Sequence, residues 1–411
     1  MKASKLCLWL LLTLWLTGCS VTPVPTNVPS VGTTLPTDES IATTAPAEES
    51  DYVDRLLSEM TLRQKVGQLF IIRPDSLDLD LTQEQINDPK ENGVTEVSDL
   101  MISTLRNYPA GGIVLFGKNI ESSDQITDFT DQLQGISEIP LFMCVDEEGG
   151  LVSRLANHRA FDLPAYESAA AVAAERDSVH VWEMGQTIGG YLKENGFNLD
   201  FAPVADVNTN PDNPVIGSRA FSSDPMIAAQ MVSAMAEGLR SEGVIATFKH
   251  FPGHGNTTED SHEGIAVTYR TASQMAKCEW LPFLSAGSDD LIMVGHIAAP
   301  EITGVLIPAT MSGRMVNEIL KGELGFQGLV ITDSLAMDAI TDTYDPGEAA
   351  LGALNAGCDL LLMPNGYTQA FDVVVEAVEN GTFPEARLND TVERILRFKQ
   401  SHDLLLSNGV G

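Results

Sequence analysis

Eight short apolar runs recur along this chain at intervals that leave room for a helix between most of them. They are "LFII" at Leu69, "GGIVLF" at Gly111, "PLFMCVD" at Pro140, "LDFAPVADV" at Leu199, "VIATFKH" at Val244, "LIMVGHI" at Leu291, "GLVITDS" at Gly328 and "CDLLLMP" at Cys358. They are rich in branched apolar residues and barely alternate with polar ones, as strands buried on both faces of a parallel sheet do. The intervening stretch "SSDPMIAAQMVSAMAEGLRSEG" predicts a helix with Asp224 as N-cap and Pro225 at its first position. Ile227, Met231, Met235 and Leu239 recur every four residues as a core-facing stripe, and Gly243 closes the segment. Strand and helix alternate through most of the chain, so the expected fold is α/β, a closed (β/α)8 TIM-like barrel in one domain. A doubly wound open sheet is the alternative. The acidic stretch from Asp75 to Asp99 reads as an insertion or surface lobe.

Polar residues cluster where these runs end. Asp146, Asp206, Lys249 with His250, His296 and Asp333 each close a run. One such residue is commonly a strand-end cap. Five strands ending this way would converge on the C-terminal rim, where barrels of this kind carry their active sites.

The N-terminus carries an address. "MKASK" supplies two lysines, "LCLWLLLTLWL" an apolar stretch too short to span a membrane comfortably, and "LTGC" ends it at Cys19. The "LTGC" site resembles the lipobox of bacterial lipoproteins, which implies lipidation at Cys19, export and attachment to the membrane by acyl chains. Residues 20–50 are dominated by Pro, Thr, Ser and Val without apolar period, and read as a disordered tether. The domains expected are thus a signal peptide at 1–19, the tether at 20–50 and the barrel at 51–411. A net charge of −33 disfavours nucleic acid as a partner. Cys144, Cys278 and Cys358 form neither a disulfide framework nor a zinc-ligand pattern.

"FKHFPGHGNTTEDSHEG", from Phe248 to Gly264, holds three of the seven histidines. His250 and His254 stand four apart, as two zinc ligands on a helix would, but Pro252, Gly253 and Gly255 oppose a helix there. The glycines do not match a phosphate-binding loop. Asp260 and His262 are two apart and can face one side of an extended turn, where a carboxylate fixes the imidazole tautomer. That arrangement suits proton transfer.

"KHFPGHG" followed by "DSH" resembles the family 3 glycoside hydrolases, and more narrowly their β-N-acetylhexosaminidase branch. "VDEEGG" at Val145, "FAPVADVNTNPDNPVIGSRAFSSDP" from Phe201 and "GFQGLVITDSLAMDAI" from Gly325 extend the resemblance from about Met60 to Phe398. It implies that Asp333 is a nucleophile, His262 the general acid/base and Asp260 its partner. It also implies sugar contacts by Asp146, Arg154, Arg219, Lys249 and His250, with no metal or organic cofactor. His254 would organise the loop. Asn256, Glu147 and Leu151 depart from the residues common in the family. The activity implied is retaining removal of non-reducing-end β-linked GlcNAc from peptidoglycan fragments or chitooligosaccharides. A phosphorylase or β-glucosidase of the same superfamily is an alternative, as is a non-catalytic wall-binding lipoprotein.

Overall fold

All eight apolar runs become strands of one parallel sheet: β1 Phe70–Ile72, β2 Gly112–Val114, β3 Phe142–Val145, β4 Leu199–Asp200, β5 Ile245–Phe251, β6 Leu291–Val294, β7 Leu329–Thr332 and β8 Leu361–Leu362. They are observed in a computed structural model that describes residues 45–174, 177–258 and 264–405, with side chains from Tyr52 onward. Each strand pairs with its neighbours in sequence, and β8 pairs with β1. A parallel bridge from Ile331 to Leu360 joins the remaining edges. Thr332 N–H donates to Leu360 O at 3.1 Å and Leu360 N–H to Val330 O at 3.0 Å across that seam. The sheet is therefore a (β/α)8 barrel. Its strands are buried throughout, which is why they read as apolar runs without alternation.

The helix read from "DPMIAAQ" spans Pro225–Ser241. Asp224 Oδ1 caps it, accepting from the N–H groups of Met226 at 2.9 Å and Ile227 at 3.3 Å. Met231, Met235 and Leu239 are buried. This helix lies so close to Ser178–Glu194 that a Cβ on Gly185 would sit 2.3 Å from Met235 O, and one on Gly238 2.3 Å from Trp182 O. Glycine at those positions lets the two backbones touch.

The helix Glu385–Ser401 is tied to the N-terminal ends of three barrel strands. Its Lys399 is fully buried, and Nζ donates to Gln68 Oε1 (2.9 Å), Gly111 O (2.8 Å) and Pro140 O (2.6 Å), the starts of β1, β2 and β3. Nζ also lies 4.7 Å from the centre of the Phe142 ring, and burial lowers its pKa to about 7.

Two segments differ from the sequence reading. The helix Ala45–Glu59 begins inside the stretch read as tether. The acidic lobe is not wholly a surface feature, because Asp75 is completely buried. It accepts from Val94 N–H at 3.2 Å and Asn119 Nδ2 at 3.0 Å, with Lys118 at 3.5 Å. Buried donors and a cation can hold a carboxylate inside, which an acidic composition alone does not reveal. Among the described residues, no helix is long and apolar enough to cross a membrane. Cys19 lies outside them.

Candidate active site

The C-terminal rim encloses a cleft of about 440 Å³ lined by Asp146, Glu148, Arg219, Lys249, His250 and Asp333, among others. Asp146 follows β3, Lys249 and His250 lie within β5, and Asp333 follows β7. The barrel topology brings together residues nearly two hundred positions apart.

A network of ion pairs preassembles one wall. Lys249 Nζ lies 2.8 Å from Asp146 Oδ1 and 2.7 Å from Glu148 Oε1. Arg219 grips Glu148 with both edges of its fork, Nε to Oε2 at 2.8 Å and Nη2 to Oε1 at 2.7 Å. Arg154 Nη2 reaches Asp146 Oδ2 at 3.3 Å. Burial pushes the Asp146 carboxyl up, but Lys249 and Arg154 together outweigh it and hold the group well below the usual carboxylate range. Burial likewise opposes ionisation of Glu148, and Lys249 and Arg219 overcome it, holding its pKa at about 2. Burial would lower the Lys249 pKa, yet Asp146 and Glu148 leave it raised. All these groups are charged at neutral pH, and together they present fixed donors and acceptors to a polyhydroxylated ligand.

His250 owes its orientation to Asp206. After β4 the chain continues beside β5, with Thr247 N–H donating to Ala202 O at 2.8 Å and Lys249 N–H to Pro203 O at 3.1 Å. That path carries Asp206, fully buried, under the histidine loop. Its Oδ2 lies 2.8 Å from His250 Nδ1, and its Oδ1 accepts from His254 N–H at 2.5 Å. His250 Nε2 is thus the ring nitrogen left to the cleft. His254 is buried, with Nδ1 2.7 Å from Thr257 Oγ1. Burial holds its pKa below the usual value against the pull of Asp206, so it is a neutral organiser of the loop. The two rings lie 6.2 Å apart, each with Nδ1 already engaged. Among the described residues no three His, Cys, Asp or Glu side chains are grouped to hold a metal ion.

Asp333 is half-buried at the cleft, with its N–H donating to Val294 O at 2.8 Å and its Oδ1 accepting from Ser334 N–H at 2.7 Å. Asp260 and His262 lie outside the described residues.

Two rim expectations change. His296 is fully buried, Nδ1 2.8 Å from Thr310 Oγ1 and Nε2 2.8 Å from Ser334 O, so it supports the turn that carries Asp333. Asp206 holds two histidines and does not line the cleft. Arg154 lines a neighbouring hollow and meets the cleft through its ion pair with Asp146 and its contact with the Phe116 ring. Sequence reasoning gave Glu148 no place among the sugar contacts, its one signal being its position two residues beyond a strand-end aspartate. Glu147 points the other way. It is buried and accepts from the N–H groups of Arg154 (2.6 Å), Leu155 (2.9 Å) and Ala156 (3.0 Å) and from Tyr191 O–H (2.8 Å).

A barrel with a cluster of fixed charges at this rim has the layout of an enzyme. Residues 61–398 match the glycosyl hydrolase family 3 N terminal domain. The chain belongs to glycosyl hydrolase family 3. It is 32% identical over 331 residues to Beta-hexosaminidase A of Pseudoalteromonas piscicida, covering 74% of this chain and 55% of the relative. It is 33% identical over 313 residues to a Beta-hexosaminidase of Stenotrophomonas maltophilia, covering 73% of this chain and 89% of the relative. A glycoside hydrolase family 3 β-N-acetylglucosaminidase from Paenibacillus sp. superposes with a TM-score of 0.76 at 34% identity, covering 86% of this chain and 64% of the other.

Proposed function

We propose that this protein is a retaining exo-β-N-acetylglucosaminidase acting on peptidoglycan fragments or chitooligosaccharides. The observation that carries this reading is Asp333 at the end of β7, lining the same cleft as the Asp146–Lys249–Glu148–Arg219 network. The hexosaminidase names of its relatives support the choice of sugar.

In this mechanism Asp333 attacks the anomeric carbon and the leaving oxygen takes a proton from His262. The aglycone departs and a glycosyl ester on Asp333 remains. His262, now neutral, takes a proton from water, which attacks the ester and frees the sugar and Asp333. Asp260 holds the imidazole in the orientation needed for both steps. Asp146, Lys249, Arg219 and His250 fix the sugar hydroxyls. Glu148 is no substitute acid, because a carboxyl held at about 2 has no proton to give at neutral pH.

The protein acts outside the cytoplasm, held to the membrane by acyl chains on Cys19. A Cys19→Ala variant that still sediments with membranes would contradict that placement. The activity is tested with chromogenic β-GlcNAc and β-glucoside substrates, with and without phosphate. Release from β-GlcNAc alone, without need of phosphate, is expected. Preference for the glucoside, or turnover only with phosphate, would replace this reading by another in the superfamily.

A further inference from the structure

The histidine loop is fastened at its base by residues that the mechanism above does not use. The chain enters the loop through β5 and leaves it through the strand Ala266–Val267, which pairs with Ile297–Ala298. On the entry limb, Asn210 Nδ2 and Asn213 Nδ2 donate to Thr257 O at 2.9 and 3.0 Å, and Asn210 N–H donates to Gly255 O at 3.0 Å. Asn256 Nδ2 crosses to the exit limb and donates to Thr268 Oγ1 at 2.9 Å. A little further along the exit limb, Arg270 reaches both ways. Its Nη2 donates to Thr209 Oγ1 at 3.0 Å, beside Asn210, and its Nη1 pairs with the Glu279 carboxylate. In sequence, Asp260 and His262 lie between these two limbs.

Glu279 is fully buried, and Arg270 is the one cation paired with it among the described residues. Burial pushes its carboxyl up, and Arg270 works against that push. The side chain fills the space beside the entry limb. A Cβ added at Gly253, whose φ is +125°, would sit 2.6 Å from Glu279 Cβ and 2.8 Å from its Cγ. The next residue, Trp280, stacks on Phe251 with ring centres 6.4 Å apart. Burying a carboxylate here is unfavourable, and an apolar side chain would fill the same space without that penalty. What the charge adds is a directional link. It runs from the floor of the entry limb to Arg270 on the exit limb, and on to Thr209 in the segment that also carries Asp206.

We propose that Glu279 and Arg270 are positioning residues for proton transfer: joined to each other and to Thr209, they fix the spacing of the two limbs and so set where Asp260 and His262 stand against the glycosidic oxygen. The inference rests on the glycosidase reading above. His250, the sugar contact on the same loop, is held separately by Asp206, which accepts from its N–H at 3.2 Å and meets its Nδ1 at 2.8 Å. Loosening the pair should therefore harm protonation of the leaving group far more than it harms sugar binding.

The test compares kcat/KM on N,N′-diacetylchitobiose, a poor leaving group, with kcat/KM on a dinitrophenyl β-GlcNAc, whose acidic phenol departs without a proton. The ratio of the two does not depend on how much of a preparation is folded, so it separates proton delivery from stability. Glu279→Gln should lower that ratio by about tenfold or more, in the same direction as His262→Ala, and Arg270→Lys should lower it less. Thr209→Val keeps the ion pair and removes only the hydroxyl that accepts from Arg270. It should lower the ratio by about threefold, and with Arg270→Lys it decides the matter if Glu279→Gln does not fold. Equal losses on the two substrates in Glu279→Gln, or an unchanged ratio in both Arg270→Lys and Thr209→Val, would overturn the inference. Failure of wild type to cleave either substrate would instead remove the glycosidase reading, and an unchanged ratio in His262→Ala would remove the acid/base role on which the inference stands.

Discussion

Replacing Glu148 by Gln removes one negative charge from beneath two buried cations, and the structure sets the size of the effect. The glutamate is 5% exposed and paired with both Arg219 and Lys249 at 2.7 Å. A carboxyl held at about 2 rather than its ordinary 4.5 contributes about 3 kcal/mol of folding stability at neutral pH. Gln can still accept a hydrogen bond, but Lys249 is left with Asp146 alone and Arg219 without a carboxylate partner. The sign follows from the depressed pKa. This contribution is complete above the unfolded value near 4.5 and disappears as pH falls toward 2. Urea unfolding of wild type and Glu148→Gln from pH 7 to pH 2.5 measures it. The free-energy gap should be about 3 kcal/mol at pH 7 and narrow steadily below about pH 4.5. A gap that is flat between pH 7 and pH 3, or below about 0.5 kcal/mol at pH 7, would refute the reasoning. The same variant should lose kcat/KM, because Arg219 and Lys249 no longer stand where the sugar meets them.

Wild type should gain stability in urea unfolding as pH rises from about 7 toward 10.5 while Lys399→Met does not, since burial holds the Lys399 pKa at about 7 instead of its ordinary 10.5; parallel pH profiles of the two would count against this. EDTA is expected to leave activity unchanged, because among the described residues no three His, Cys, Asp or Glu side chains are grouped to hold a metal ion; loss restored by Zn²⁺ would count against this. His262→Ala should lose most kcat/KM on substrates with poor leaving groups, and far less on aryl glycosides of acidic phenols. A uniform loss across a leaving-group series would assign His262 to binding or structure.

Much of the fold was legible because a parallel barrel buries each strand on both faces, so its strands surface as apolar runs that no loop imitates. Asp224 and Pro225 marked a helix start for equally local reasons, a free backbone N–H that needs an acceptor and a residue that needs none. The rim was legible as a list of strand-end polar residues, but not the direction in which each points. Strands buried on both faces have no inward and outward alternation to read. His296 therefore looked equivalent to Lys249, although it turns inward to Thr310 and Ser334. Glu147 and Glu148 are adjacent and chemically alike, yet one ties down a loop and the other grips two cleft cations. The pairing of Asp206 with His250 depends on the chain running on beside β5 after β4, which nothing local announces. The acidic lobe looked like solvated surface, but Asn87 and Pro89 from it line the cleft.

The central claim is that Asp333 bonds covalently to the sugar. It is tested most directly by mass spectrometry after brief incubation with a fluorinated β-GlcNAc donor that forms the glycosyl ester faster than water removes it. The expected result is one added glycosyl unit per chain, on the peptide that contains "LVITDSLAM" and on Asp333 itself, with no adduct on Asp333→Ala. An adduct on another residue, or an Asp333→Ala variant that keeps more than about a tenth of wild-type turnover, would place the nucleophile elsewhere.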